Sequence, residues 1–290
     1  VRSSATAEDL PEASFAGQLE SFLTVQGKRS LLDSLRRCYA SLFTDRAIAY
    51  RVNNDFDHMK VALSVGVQRM VRADKAGSGV MFSIDTETGF PRTVLINAAW
   101  GLGELVVQGV VDPDEYIVFK PFLDDESKKS IAAQKLGGKE RKMIFGGGRK
   151  PLKTIATAKA RQHEFVLDDD EIMTLARWGA RIEQHYGQPM DIEWAKDGLD
   201  GELYIVQARP ETVQSQREQG KLQAYILKER GEVLVAGLSV GASIGAGKVQ
   251  KLESPAEIDR FEDGSVLVTG MTDPDWVPIM KKASAIVTDH

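Results

Sequence analysis

The stretch "DIEWAKDGLDGELYIVQARPET", residues 191–212, decides how we interpret the fold of this chain. Two runs rich in β-branched and aromatic residues, 190–195 and 203–208, flank the turn sequence "KDGLDGE". Runs of this kind on either side of a glycine- and aspartate-rich segment predict a β-hairpin. We therefore expect two antiparallel strands joined by this turn.

Polar residues recur at every second position of both strands. Asp191 and Glu193 share one face of the first strand, and Gln207 and Arg209 share one face of the second, because strand side chains alternate with a period of two. A register that pairs Glu193 with Gln207 also places Asp191 opposite Arg209, and a slip of one residue would separate them. The opposite face of the second strand is expected to carry Tyr204, Val206 and Ala208.

This pattern gathers two acids, an amide and a guanidinium on one face. Neighbouring carboxylates repel each other unless a cation lies between them, and Mg²⁺ prefers carboxylate oxygens together with the phosphates of a bound nucleotide. A guanidinium beside the cation would bind the phosphates themselves. The alternative is an amphipathic surface hairpin whose charges contact only water, and the hairpin alone leaves both interpretations open.

The composition is typical of a globular protein. The chain of 290 residues is 42% hydrophobic and 27% charged, which predicts a soluble protein with one large or two ordinary domains. It has neither an apolar run of membrane-spanning length nor a leader sequence, so we expect a cytoplasmic protein without a membrane partner. The net charge of −5 argues against nucleic acid as a partner. Cys38 is the only cysteine, which excludes disulfides and cysteine-ligated zinc.

Hydrophobic periodicity gives a coarse map of the elements. Residues 28–54 have the apolar spacing of two helices, and residues 170–186 that of one. Short apolar runs separated by turns predict mostly sheet over residues 61–119. The lysine- and glycine-rich stretch 128–153 is expected to be mobile.

The texture of the chain changes towards its end. A polar helix is predicted after Thr212, running to about Glu232, and small, β-forming and glycine residues follow from about Ala236. We therefore expect a linker and then a second domain. The chain opens without an initiator methionine and closes just after a β-like run, so we also expect it to be a fragment.

Two glycine-rich segments do not complete a phosphate loop. The sequences "FGGGRK" at 145–150 and "GAGKV" at 245–249 lack the spacing G-x-x-x-x-G-K-[ST]. The segment "WGLGE" at 100–104 contains only part of a dinucleotide-binding motif. None of the three carries a nucleotide-site prediction on its own.

Eight segments distributed along nearly the whole chain form one recognisable set. They are "VRSSATAEDLPEASFAGQLESFL", "SLFTDRAIAYR", "VALSVGVQRMV", "GVMFSIDTETG", "AWGLGELVVQGVVDPDEY", "PMDIEWAKDG", "LYIVQARPET" and "VLVTGMTDPDWVPIMKKASAIVT". Together they resemble the phosphoenolpyruvate synthase family, the pyruvate, water dikinases. The resemblance is weakest around 122–165 and 213–235. Pyruvate phosphate dikinases and rifampin phosphotransferases share parts of the pattern, but "RSSATAEDLP" and "MTDPDW" in one chain fit the synthases best.

This resemblance implies an α/β chain of two domains. Residues 1–213 would form an ATP-grasp nucleotide-binding domain whose N-terminal part is missing. Residues 214–235 would be a helical linker, and residues 236–290 the start of a swivelling β/β/α phosphohistidine domain. In the whole enzyme the family also has a C-terminal barrel that binds pyruvate.

The implied reaction converts ATP, pyruvate and water into phosphoenolpyruvate, AMP and phosphate. In this family a histidine attacks the β-phosphoryl group of ATP and then carries the phosphoryl group to pyruvate. By resemblance that histidine lies in a Gly-Gly-x-Thr-x-His segment beyond this chain, and His290 precedes it. The alternatives are a phosphate-accepting dikinase and a non-catalytic ATP-binding module, and a homodimer is a further expectation.

The resemblance also assigns roles to residues near the nucleotide phosphates. Arg2 and Arg46 match arginines that hold the phosphates, and Arg209 matches a further phosphate contact, so these three are the candidate catalytic residues. Glu193 and Gln207 match residues that bind Mg²⁺ and phosphate.

Three further residues belong to the same implied site. Asp191 is the companion of Glu193 and Gln207 in the expected Mg²⁺ site. Gln68 and Met70 lie in "VQRMV", which matches a strand that lines the adenine pocket. ATP is thus the expected substrate and Mg²⁺ the expected cofactor.

Overall fold

The computed structural model of the chain describes residues 1–6, 19–146, 151–211, 229, 231–237 and 243–289. The chain divides into two compact units, Val1–Gln216 and Arg217–His290. In chain order the described strands and helices are β1 Arg2–Ala5, α1 Lys28–Ala40, α2 Asp45–Asn53, β2 Leu63–Gly66, β3 Gly77–Phe82, β4 Thr93–Trp100, α3 Glu104–Val107, β5 Asp114–Phe119, β6 Ile131–Lys135, β7 Arg141–Phe145, β8 Leu152–Ala156, α4 Lys159–Gln162, α5 Asp169–Tyr186, β9 Met190–Lys196, β10 Leu203–Pro210, β11 Val249–Lys251, β12 Val266–Thr269, α6 Val277–Met280 and β13 Ala285–Thr288.

The first unit is built on a six-stranded antiparallel sheet of order β10-β9-β3-β4-β5-β6. Strands β1 and β2 form a separate antiparallel pair, as do β7 and β8. The predicted hairpin is confirmed and supplies β9 and β10. The predicted helices in 28–54 and 170–186 are confirmed as α1, α2 and α5.

Helix α5 covers one face of this sheet. It begins with a capping box between Asp168 and Glu171 and ends at Gly187, whose φ of 70° is left-handed, a conformation that glycine adopts without strain. The buried side of the helix packs on the sheet and forms the main hydrophobic core. The fully or almost fully buried members of this core include Met81, Val94, Ile96, Tyr116, Val118, Ile172, Leu175, Met190, Ile192 and Trp194.

Two expectations about irregular and extended segments are wrong. Much of the stretch 128–153, expected to be mobile, forms β6, β7 and the start of β8. A buried ion pair holds this stretch in place, because the fully buried side chains of Lys139 and Asp114 form a salt bridge with each other. The segment "VQRMV", expected to be a strand, has no regular secondary structure, since β2 ends at Gly66.

The second unit contains a three-stranded parallel sheet of order β11-β12-β13. A small hydrophobic cluster lies beside it and includes Leu252, Phe261, Leu267, Trp276 and Ile279. The boundary between the two units falls inside the predicted linker 214–235. Most of that linker and His290 lie outside the described residues, and the domain boundaries stay a prediction.

The described helices are short compared with the thickness of a lipid bilayer or too polar to cross it. Among the described residues, none of the helices has both the length and the apolar character needed to span a membrane.

Candidate nucleotide phosphate site

The hairpin of β9 and β10 has the register that the polar spacing predicts. Glu193 pairs with Gln207, and Asp191 pairs with Arg209. Ile192 and Trp194, which alternate with the acids, are buried in the core under α5. The four polar residues therefore lie on the sheet face that α5 does not cover, because neighbouring strand residues point to opposite faces.

A β-bulge at Val206 interrupts this hairpin. Ile205 pairs with Trp194 and Gln207 pairs with the very next residue, Glu193, so Val206 has no opposite residue. Bulges of this kind re-aim side chains and are frequent beside functional sites. Here the bulge keeps Ile205 packed against the core while Gln207 points to the other face.

The bulge also corrects one expectation from the sequence. Tyr204 and Ala208 were expected to share a face, but Tyr204 pairs with Ala195 and Ala208 pairs with the core residue Ile192. One extra residue between them shifts the alternation, so their side chains point to opposite faces.

Two predicted site residues from distant parts of the chain meet at this bulge. The carbonyl oxygen of Val206 accepts hydrogen bonds from Nη1 of Arg2 at 3.4 Å and from Nε2 of Gln68 at 3.2 Å. Arg2 also donates from Nη2 to Oε1 of Gln207. The strand β1 that carries Arg2 is thereby tied to the edge of the large sheet. The structure thus brings Arg2, Gln68 and Gln207 together.

Asp191 holds the guanidinium of Arg209. Nε and Nη2 of Arg209 donate to the same oxygen, Oδ2, at 2.8 and 2.7 Å. The Asp191 side chain is only 13% exposed and that of Arg209 31% exposed. Charge-assisted pairs of this kind are short and directional. Arg209 is therefore fixed in orientation beside Glu193 and Gln207.

Glu193 is a partly buried carboxylate in a mixed electrostatic environment. Burial raises its pKa above the usual range, and the negative charges of Asp191 and Glu104 raise it further. The positive charges of Arg2 and Arg209 lower it. A bound cation would favour the charged form of such a carboxylate. Burial therefore disfavours the ionised form of Glu193, and a cation bound beside the carboxylate would restore that form.

Glu104 is a carboxylate near this site that the sequence reasoning did not identify. It begins the short helix α3, which follows the "WGLG" turn, and burial raises its pKa. The sequence did contain a signal, since a glutamate ends the glycine-rich segment "WGLGE".

Among the described residues, Arg46 and Met70 are the two predicted site residues that make no hydrogen bond to the hairpin. The guanidinium of Arg46, on α2, forms an ion pair with Glu20 at 3.2 Å. Met70 packs against a buried cluster that includes Leu102 and Ala195, and Val206 packs on the same cluster. Met70 is therefore close to the bulge, whereas the phosphate role of Arg46 rests on the resemblance.

The donor groups on this face suit a magnesium ion bound together with a nucleotide. Among the described residues, no three or more His, Cys, Asp or Glu side chains are grouped so as to hold a metal. Mg²⁺ does not need such a cage, because it is usually bound by one or two carboxylates, by water and by substrate phosphates. Glu193 and the amide oxygen of Gln207 are oxygen donors of this kind.

Comparison with known proteins points the same way. Residues 1–229 match the family described as "Pyruvate phosphate dikinase, AMP/ATP-binding domain", and residues 261–290 match "PEP-utilising enzyme, mobile domain". The relatives are called phosphoenolpyruvate synthase. The chain is 58% identical to the one from Synechocystis sp., 54% to that from Aquifex aeolicus and 53% to that from Escherichia coli K12.

Each of these alignments covers 100% of this chain but only 35–37% of the relative. The chain thus spans about a third of the length of the curated relatives that it matches. The family match covers most of the chain and includes every residue of the candidate site. Its mixture of helices and strands agrees with the ATP-grasp type of α/β fold that the resemblance implies. The chain belongs to the pyruvate phosphate dikinase AMP/ATP-binding domain family.

Proposed function

We propose that this chain is the nucleotide-binding part of a phosphoenolpyruvate synthase and that it binds ATP with Mg²⁺ on the face of the β9–β10 hairpin. The observation that carries the proposal is the convergence of Arg2, Gln207 and Glu193 with the fixed pair Asp191 and Arg209. The 58% identity to a phosphoenolpyruvate synthase supports the choice of reaction.

The proposed residues divide the work on the phosphates. Phosphoryl transfer needs little covalent help from the protein and depends on alignment and positive charge at the phosphate oxygens. Glu193 and Gln207 would hold Mg²⁺, which would neutralise charge on those oxygens. Arg2 and Arg209 bind and orient the phosphates. Asp191 acts through Arg209 as a positioning residue, because its Oδ2 already accepts from two guanidinium nitrogens.

Gln207 has two partners to choose between in this scheme. Its Oε1 accepts from Arg2 in the structure, and the same oxygen is the one that a cation would use. Binding of the nucleotide would let Arg2 turn to a phosphate oxygen, since a guanidinium forms stronger hydrogen bonds with an anion than with a neutral amide. Gln68 and Met70 would line the adenine pocket beside the bulge.

The whole reaction would convert ATP, pyruvate and water into phosphoenolpyruvate, AMP and phosphate. The acceptor histidine and the pyruvate site are assigned to parts of the synthase outside this chain, and a cytoplasmic homodimer stays a prediction. A phosphate-accepting dikinase is the second candidate, because the matching domain family carries that name. In the whole enzyme, a requirement for added phosphate during turnover would favour the dikinase over the synthase.

The test compares two glutamates of the same hairpin. The affinity of a non-hydrolysable ATP analogue is measured by calorimetry with and without Mg²⁺ for Glu193→Gln and for Glu202→Gln. Glu202 is exposed and lies just before β10. We expect Glu193→Gln to lose the affinity gained from Mg²⁺, on the order of tenfold or more, and Glu202→Gln to retain it. Equal behaviour of the two variants would refute the assignment.

A further inference from the structure

We propose that Glu104 is the second carboxylate of the cation site and that it faces the bound nucleotide together with Glu193. This inference rests on the proposed function and names a residue that the resemblance did not supply. It also changes the expected ligand set, because the resemblance made Asp191 the companion of Glu193.

The first step is that Asp191 is already engaged. Its Oδ2 accepts two hydrogen bonds from Arg209, and the carboxylate is only 13% exposed. Withdrawing it from the guanidinium to bind a cation would break both of these hydrogen bonds. A second carboxylate from elsewhere on this face could bind the cation without breaking these two hydrogen bonds.

The second step is the position of the "WGLG" turn. The hydroxyl of Ser78 donates to the carbonyl oxygen of Gly101 at 2.7 Å, and a Cβ added at Gly103 would lie 3.3 Å from that hydroxyl. Ser78 pairs with Ala195 on β9, and Val80, two residues further along β3, pairs with Glu193. Ser78 and Val80 share a face, because their spacing is two. Glu104 therefore follows a turn that lies on the Glu193 face.

Packing of α3 keeps Glu104 there. Leu105, the next residue, is buried in a cluster with Ala99 of β4 and Val111. Ala99 pairs with Ser78 in the sheet, so α3 packs over the same face of β3 and β4. With Leu105 buried against the sheet, the backbone of Glu104 is held over this face.

The third step concerns partners and charge. Within the part of the chain that the structure describes, the side-chain carboxylates of Glu104 and Glu193 have neither a hydrogen-bond donor nor an ion-pair partner. The negative charge of Glu104 acts on Glu193, and the bond between Ser78 and Gly101 holds the turn before Glu104 on the same face as Glu193. Two partly buried acids without partners repel each other, and a cation between them removes that cost.

The buried amide of Asn97 is a further polar group on this face. Oδ1 of Asn97 is buried and has no hydrogen-bond donor among the described residues. Asn97 lies on β4 next to Ile96, a core residue, so its side chain points to the same face as Glu193. Asn97 is two strands from Glu193 on this face, and its unsatisfied oxygen is an acceptor to which the water molecules of a hydrated cation would donate.

The test measures cation binding directly, with Mn²⁺ as the probe. The electron paramagnetic resonance signal of free Mn²⁺ is followed in the full chain saturated with a non-hydrolysable ATP analogue. The variants are Glu104→Gln, Glu193→Gln and, as a matched control, Glu202→Gln. Glu202 is an exposed glutamate in the turn just before β10.

We expect Glu104→Gln and Glu193→Gln each to weaken Mn²⁺ binding about tenfold or more, and Glu202→Gln to stay within about twofold of the unsubstituted chain. Normal Mn²⁺ affinity in Glu104→Gln with a clear loss in Glu193→Gln would overturn the role of Glu104 and leave the proposed function standing. Normal affinity in both variants would overturn the proposed function as well.

A second measurement separates a ligand from a structural residue. With EDTA present, Glu104→Gln should bind the analogue as well as or more tightly than the unsubstituted chain, because one negative charge facing the phosphates is gone. Its melting temperature without ligand should be equal or higher. A loss of analogue affinity in EDTA, or a lower melting temperature, would show that Glu104 supports the fold and would refute the proposal.

Discussion

Arg209 donates two hydrogen bonds to one carboxylate oxygen of Asp191, from Nε at 2.8 Å and from Nη2 at 2.7 Å. The two residues are directly opposite in the hairpin, so the register of β9 and β10 and the orientation of the guanidinium depend on each other. A planar group held along one edge can turn only with its partner. The orientation of Arg209 for its proposed phosphate contact is thus set in the ligand-free chain.

Removal of Asp191 should matter only while Arg209 is present. We expect Asp191→Ala to weaken binding of an ATP analogue about tenfold, and to have almost no further effect in an Arg209→Ala chain, because contacting residues couple by about 0.5–3 kcal/mol. A double-mutant cycle by calorimetry measures this coupling. Additive losses would mean that Asp191 contacts the cation or nucleotide itself.

Replacement of Arg209 by lysine should be nearly as harmful as replacement by alanine. Lysine keeps the charge but has no planar fork, so it cannot bind Asp191 through two nitrogens and thereby fix the direction of its remaining donors. We expect both variants to lose most of the affinity for the Mg²⁺ complex of the analogue, on the order of tenfold or more. Recovery of most binding by lysine would show that Arg209 acts only as a diffuse charge.

The stability of the ligand-free chain should depend on pH through Glu193. Burial raises the pKa of Glu193 above 4.5 in the folded chain, so the folded state binds the proton more tightly and stability falls as pH rises through the raised pKa. Glu193→Gln should therefore match the unsubstituted chain near pH 4 and melt at a higher temperature at neutral pH.

Thermal unfolding between about pH 4 and 8 checks this dependence, with Glu202→Gln as the control that leaves the pH profile unchanged. Saturating Mg²⁺ with an ATP analogue should reverse the order and make the unsubstituted chain the more stable. If the melting temperatures of Glu193→Gln and the unsubstituted chain differed by the same amount at every pH, the ionisation of Glu193 would have no effect on stability.

The buried pair of Lys139 and Asp114 should be essential for the fold. Asp114 accepts hydrogen bonds from Lys139 and, at 2.9 Å each, from the backbone N–H groups of Gly137 and Val166. Lys139→Met leaves that carboxylate buried and should cost about 3–5 kcal/mol of unfolding free energy. Lys153→Met, at an exposed position of β8, should cost almost nothing. Urea unfolding distinguishes them, and equal stability of the two variants would contradict the burial of Lys139.

The sequence was sufficient to predict the register of the hairpin. Period-two spacing in two runs allows few registers that put all four polar residues on one face, and the structure has the register with Glu193 opposite Gln207. The bulge at Val206 could not be predicted in this way. A single extra residue leaves the composition of the strand unchanged, and only the core contacts of Ile205 show which face it takes.

The contacts that the sequence did not reveal depend on packing over long separations. Lys139 lies in a lysine- and glycine-rich segment, where lysines are normally exposed, and its partner Asp114 is 25 residues away. The proposed role of Glu104 depends on Leu105, which packs α3 onto the sheet. Neither placement follows from local spacing, since both require the tertiary structure that surrounds them.

The hydrogen bond between Arg2 and Gln207 cannot form until both residues have been synthesised. The two residues are 205 positions apart, and a ribosome adds about 5–20 residues per second, so about 10–40 s separate their synthesis. During that interval Arg2 has neither the bulge nor Gln207 to bind. A nucleotide therefore cannot guide the folding of the first half of this unit, and its stabilising effect begins only after the last strand of the large sheet has been made.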